Sequence, residues 1–336
     1  MFTLQKNRVK LAFSSLAGFL LLISLIWWLG FEKLLMLVSQ ASWVWLFLSA
    51  LNLIPTYLVR AWRWRLLLVH IKNPVKISNT FWSTAVGYMV NTLIPVRLGE
   101  FIRAYILGEK EKVSFASVFS SVVVERTLDL IGLLTIGLVL LVILPIEGFG
   151  WSLTSFKVVG GLIVLILTIL FFGVKKEKKI ISIIDKISSI LPFLSKRKDK
   201  ITGFAESLIY GVKGIGKYPK LLPIILALTW VLWIIQLLTV YMVFKAFNQP
   251  TPILIVFFGA VILYFTYILP SVPGYVGTHE TYWTLIFLSL GLTQVELLFA
   301  MGLAGHLVGL IAMIIIGCVG VVWLGLSFED IFKLQR

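Results

Sequence analysis

Arg97, Glu100 and Arg103 lie behind an apolar run in the stretch NTLIPVRLGEFIRA (residues 91–104), beside Pro95 and Gly99. Glu100 is three residues from each arginine, so on a helix all three share one face. A helix that starts here also carries partial positive charge at its N-terminal end. Backbone N–H groups, that dipole and two guanidinium forks together attract an anion, and a phosphate matches the fork well. The competing interpretation is a self-paired trio that fixes a turn. Facing lipid, each group would cost about 2.5–3.5 kcal/mol, so the stretch is either a surface loop or a protected site.

Further polar groups interrupt apolar runs downstream. In SVVVERTLDLIGLL, Glu125 and Asp129 stand at i and i+4 with Arg126 between them. Buried together, two carboxylates repel unless a base intervenes or one is protonated. Arg126, or Arg97 and Arg103 from the preceding stretch, can supply that base. The cluster is then either a polar pocket with a proton-coupled carboxylate or a structural ion-pair network. In PSVPGYVGTHE, His279 and Glu280 follow a Gly turn, and His306 sits on the next apolar segment. These residues suit a proton relay or a headgroup contact, although a lone His306 on an apolar helix also reads as a packing residue. HETYW lacks the second histidine of HExxH, and the chain has three histidines and one cysteine, Cys318. No metal site, disulfide framework or cofactor is therefore expected. Walker A loops, GxSxG elbows and DxD pairs are also missing, which removes ATP-driven pumping by this chain alone.

The elements that must position these groups are membrane helices. Of the 336 residues, 59% are hydrophobic and 13% charged, more apolar than a soluble domain requires. The net charge of +15 gathers at the ends of apolar segments, at Lys6–Lys10, at Arg60, Arg63 and Arg65, and between Lys175 and Lys220. That distribution follows the positive-inside rule and argues against nucleic acid as a partner. The aromatic stretches IWWLG and RAWRWR read as interfacial belts.

The pattern predicts an all-α polytopic membrane protein. Six full spans are expected, at about 11–30, 41–59, 113–145, 154–173, 221–247 and 295–326. The N-terminal apolar run resembles a signal peptide but is too long for one, and is read as a retained helix. Two apolar stretches, about 77–108 and 253–290, are broken by IPVRLGE and ILPSVPGYVGTHE and are expected to form re-entrant hairpins. Pro95 and Gly99 recur 178 residues later as Pro273 and Gly277, and the flanking spans match at that offset. Charge places the two copies in opposite senses, an inverted repeat with both termini cytoplasmic. One transmembrane domain is expected, with halves of about 1–173 and 221–336 joined by a basic cytoplasmic loop, about 174–220. That loop suits anionic lipid headgroups or a solvated linker.

Three ordered motifs carry a family resemblance: N-x-x-x-P-x-R-x-G-E-x-x-R-A at Asn91–Ala104, E-R-x-x-D at Glu125–Asp129, and P-x-x-P-G-x-x-G-x-x-E at Pro270–Glu280. Together they resemble the transmembrane region of lysylphosphatidylglycerol synthases, and a stand-alone form without the soluble aminoacyl-transferase domain is expected. The resemblance implies a plasma-membrane protein that moves an anionic, aminoacylated or isoprenoid-linked lipid between leaflets, using Arg97, Glu100, Arg103, Glu125, Arg126, Asp129 and Glu280. A transporter is expected rather than an enzyme. The alternatives are a membrane-embedded transferase and a non-catalytic partner of a lipid-modifying glycosyltransferase or synthase.

Overall fold

The computed structural model describes residues 16, 18–94, 98–144, 214, 217–267 and 272–327, and every regular element among them is helical. A short helix α1 (Gly18–Leu29) meets α2 (Phe31–Ser39) at an angle of 88°. The bend falls at Gly30, whose φ of 89° suits a residue without a Cβ. Next come α3 (Trp43–Leu51) and α4 (Leu53–Leu67), which together run as one apolar helix of 25 residues. Asn52, at their junction, donates to the Ile235 carbonyl and to Thr239 of a facing helix, so its amide is satisfied inside the bundle.

Helix α5 (Ile77–Leu93) is followed by α6 (Gly99–Glu111) and the long α7 (Phe115–Ile143). Ser114 starts α7 by accepting the Ser117 N–H. The second part of the chain has α8 (Leu222–Ala246), α9 (Ile253–Thr266), a 3₁₀ turn at Pro273–Tyr275, α10 (Thr278–Ser289) and α11 (Val295–Trp323). Among the described residues, four helices are long and apolar enough to span a bilayer, or five when α1 and α2 count as one bent span. The expected span at about 154–173 and most of the basic loop, all but residues 214 and 217–220, lie outside the described residues.

Helices α5 and α6 form an antiparallel pair. Asn79 near the start of α5 bonds Glu111 at the end of α6, while Asn91 near the end of α5 bonds the Gly99 N–H at the start of α6. A Cβ on Gly99 would collide with the Gly87 carbonyl, so the two glycines set how closely these helices approach. At 1.5 Å per residue, α6 is about 20 Å long, short of the ~30 Å of a hydrocarbon core. Helices α9 and α10 pair in the same way, with Gly259 against Phe287 and Tyr267 bonded to His279.

Packing follows one pattern in both parts. α4 lies on α5 and α8 on α9; α6 on α7 and α10 on α11; α5 on α11 and α9 on α7. Helix starts also agree to within two residues at the 178-residue offset, as for Gly99 and Thr278 or Phe115 and Val295. The turn of the second pair reaches the tip of the first: Gly274 lies close to the Thr92 carbonyl.

Candidate functional site

Six charged side chains from three helices converge in the first part of the molecule. Helix α4 supplies Arg60 and Arg63, α6 supplies Arg103, and α7 supplies Glu125, Arg126 and Asp129. Arg60 reaches both acids, at 3.4 Å from Glu125 Oε1 and 3.0 Å from Asp129 Oδ2. Arg63 does the same, at 3.2 Å from Glu125 Oε1 and 2.6 Å from Asp129 Oδ1, and also donates to Thr229 of α8. Arg103 closes the cluster from the hairpin, with Nη1 3.0 Å from Glu125 Oε2. Arg126 contacts Glu125 at 3.1 Å and Asp129 at 3.4 Å, and its Nη2 also donates to the Tyr88 hydroxyl.

The two carboxylates therefore sit on one helix face held apart by guanidinium groups, which relieves their repulsion. Four arginines against two acids leave the cluster with a formal surplus of two positive charges. All are withdrawn from solvent except Arg126, whose side chain is 31% exposed and marks the open side. Aromatic faces take up part of the excess: Arg103 lies 4.7 Å from the Trp64 ring centroid and Arg60 5.2 Å from that of Tyr88. Arg103 Nη2, Arg63 Nε, Arg126 Nε and the Tyr57 hydroxyl are buried with no hydrogen-bond partner among the described residues. A buried donor in that condition costs about 1–3 kcal/mol, so this is a cationic cluster with unused donors.

Glu100 stands at the first turn of α6, where its Oε2 accepts from Asn91 and its charge acts on Arg126. The Asn91 side chain thus holds Glu100 and the Gly99 N–H together at the hairpin tip. Arg97 lies outside the described residues.

A second cluster involves His279, Glu280 and His306. Glu280 Oε2 accepts the Gly277 N–H at 2.7 Å, and its Oε1 lies 2.6 Å from His306 Nδ1. His279 bonds the Tyr267 hydroxyl at 2.5 Å, and its ring stacks on His306 with centroids 4.1 Å apart. The two clusters are joined by a continuous series of contacts. Trp233 Nε1 donates to the Asp129 carbonyl, the Trp233 ring packs on Tyr264, and Tyr264 packs on Tyr267.

Arg60 and Arg63 differ from their sequence reading. They were expected to flank a span ending near residue 59, as part of a basic interfacial stretch. Instead α4 continues to Leu67, and its inward face carries Arg60, Arg63 and Trp64 while Trp62 faces outward. The available signal was the i, i+3, i+4 spacing of Arg60, Arg63 and Trp64, which places all three on one helical face. No group of three or more potential metal ligands occurs among the described residues.

Comparison with known sequences places this geometry in a family. The model of the lysylphosphatidylglycerol synthase transmembrane region matches residues 15–327, which include both clusters. The chain belongs to that family. Relatives of this lysylphosphatidylglycerol synthase-type chain include a UPF0104 membrane protein of Methanothermobacter thermautotrophicus, 26% identical over 88% of this chain and 85% of the relative. Another is a UPF0104 membrane protein of Pyrococcus horikoshii, 22% identical over 82% of this chain and 86% of the relative. No solved structure matches the chain.

Proposed function

We propose that the protein is a lipid flippase that moves an anionic phospholipid or related anionic lipid between leaflets, with the headgroup phosphate held by the arginine cluster. The observation that carries this reading is the buried surplus of guanidinium groups with unused donors, one of them on α6, a helix too short to cross the membrane. A phosphate offers several acceptor oxygens and the negative charge the cluster lacks. Arg126 on the open side meets it first, Arg103 receives it deeper, and the acyl or isoprenoid tails remain in lipid.

Both helix pairs are re-entrant hairpins on this reading, and the two parts of the chain form an inverted repeat. The 178-residue offset and the exchange-symmetric packing support that arrangement. Rocking of the halves about the meeting point of Gly274 and Thr92 would then alternate access to the cluster. The protein sits in the plasma membrane with both termini cytoplasmic, and the basic loop meets anionic headgroups on that side.

Leaflet exchange in proteoliposomes tests the proposal, using fluorescent lipids with anionic, zwitterionic and cationic headgroups at matched incorporation of folded protein. Wild type is expected to exchange anionic lipid fastest, with Arg126→Gln and Glu100→Gln much slower. Equal exchange of all headgroups by all three proteins would reject it. Recovery of chemically altered lipid would point instead to a transferase.

A further inference from the structure

The second cluster has a different chemistry from the first. It combines one carboxylate, two imidazoles and a phenol, with no arginine or lysine among the described residues. Relative exposure is 6% for His279 and 1% for Glu280, and the His306 side chain is 9% exposed. Both Glu280 oxygens are engaged, one by the Gly277 N–H and one by His306, and the residue is closed to solvent. His279 is also occupied, by the Tyr267 hydroxyl and by the Gly302 backbone. The ligand that fits such a closed arrangement is a proton.

The geometry points to the His306–Glu280 pair as the proton-binding site of the transporter, taking up one proton for each anionic headgroup bound at the arginine cluster. This inference rests on the flippase reading. With one proton between them the pair carries a net charge of −1, as neutral imidazole and carboxylate; a second makes it neutral overall. A further proton on His279 is opposed, because two cationic rings 4.1 Å apart repel strongly at low dielectric. The site therefore counts one proton.

Among the described residues, no cation contacts the pair. Tyr267, just past the end of α9, reaches it through His279, with Tyr264 and Tyr275 packed on Tyr267, and His279 stacks on His306 from α10 itself. Helix α1, packed on Gly277 through Gly18, has no ionisable side chain between Gly18 and Leu29, and α3 has none. On α8, Lys245 lies over the Tyr241 ring and is exposed. On α5, Tyr88 accepts from Arg126. On α11, Glu296 pairs with Lys33 of α2 in a partly exposed bridge, and Cys318 lies beside Met89. The positive surplus of the arginine cluster, at the far end of the Trp233–Tyr264–Tyr267 contacts, gives the −1 state partial compensation at long range across the low-dielectric interior.

An anion arriving among the arginines cancels that compensation and so favours proton uptake at the pair. By linkage, a proton on the pair favours the anion to the same extent. The mechanical connection is also visible. Glu280 holds the first turn of α10 through the Gly277 N–H, and the adjoining Gly274 touches the tip of the first hairpin at Thr92. Neutralising Glu280 weakens its grip on the turn that meets the other half.

The test uses proteoliposomes of phosphatidylcholine and phosphatidylglycerol carrying fluorescent phosphatidylglycerol, read at steady state with the membrane potential clamped and protein-free vesicles as control. One proton per monoanionic lipid makes transfer electroneutral. A pH gradient of about one unit should then hold the labelled lipid about tenfold enriched in the leaflet facing the alkaline side. Glu280→Gln and His306→Gln should bring the ratio to unity whatever their exchange rates. If a variant does not fold or exchange, wild-type proton uptake decides, followed with a pH indicator while short-chain phosphatidylglycerol is added in weakly buffered detergent. About one proton per lipid bound supports the site. Exchange by wild type with a symmetric steady state, no proton taken up, or a gradient response retained by Glu280→Gln overturns it while leaving the flippase reading intact. Absence of wild-type exchange for every headgroup removes both.

Discussion

Arg103 on the returning helix of the first hairpin stands 3.0 Å from Glu125 on α7, and its counterpart in the second half is a pair of opposite polarity. There the returning helix carries the acid, Glu280, and the following long helix carries the base, His306, at 2.6 Å. Each hairpin is thus tied to its neighbouring span by one buried ionisable pair. The first is embedded in surplus positive charge and the second is not, which gives the two pairs different electrostatics in a similar setting.

Removing one member of the first pair leaves the other buried without compensation. Glu125→Gln and Arg103→Ala are each expected to destabilise the fold by about 3–5 kcal/mol. Thermal unfolding in detergent should show this as a clear drop in Tm. Arg103→Lys should rescue little, because an ammonium cannot both reach Glu125 and stack on Trp64 as the planar group does.

Arg63 and Asp129 approach to 2.6 Å while both contact other charges. A double-mutant cycle with Arg63→Met and Asp129→Asn should therefore be strongly non-additive, with a coupling of about 1–3 kcal/mol. Additive effects would show that the network does not act as a unit.

Glu111 fastens the base of the first hairpin, outside the spans. It accepts from Lys72 Nζ, the Lys76 N–H and the Asn79 amide at 2.7–3.1 Å. Burial pushes its carboxyl up, but the bonds from Lys72, Asn79 and Lys76 outweigh burial and hold it below the usual carboxylate value. A depressed folded-state pKa stabilises fully above the unfolded value of about 4.3, and the contribution is lost as pH falls through the folded value. Glu111→Gln should lower Tm at neutral pH by an amount reflecting about 2 kcal/mol. The gap to wild type should close in acid.

Close approach of α5 and α6 depends on Gly87 and Gly99. A Gly99→Ala side chain meets backbone, which cannot swing aside. The variant should lose about 1–3 kcal/mol or fold poorly, whereas Gly309→Ala, with open space around its Cβ position, should be neutral.

Much of the site could be read from the sequence because charge inside an apolar run is expensive and therefore conspicuous. Arg103, Glu125, Arg126 and Asp129 stood out on that ground, and the structure brings them together. Arg60 and Arg63 did not, since a basic stretch after an apolar run looks the same whether it flanks a span or continues one. Only the persistence of α4 to Leu67 distinguishes the two. The hairpins were marked by Pro and Gly, which have local meaning in any sequence. The aromatic link through Trp233, Tyr264 and Tyr267 was not legible, because aromatic residues in apolar helices have no distinctive spacing. Gly30 likewise gave no sign that α1 and α2 would meet at 88°.

The most direct measurement is competitive lipid retention by the purified protein, followed by native mass spectrometry with equal amounts of short-chain phosphatidylglycerol and phosphatidylcholine. A charge-assisted contact worth about 1.5–3 kcal/mol predicts at least about tenfold preference for the anionic lipid. Arg126→Gln, altered at the open side of the cluster, should lose most of that preference while keeping its Tm near wild type. Equal retention of the two lipids by wild type, or an unchanged preference in Arg126→Gln, would contradict recognition of an anionic headgroup by the buried arginines.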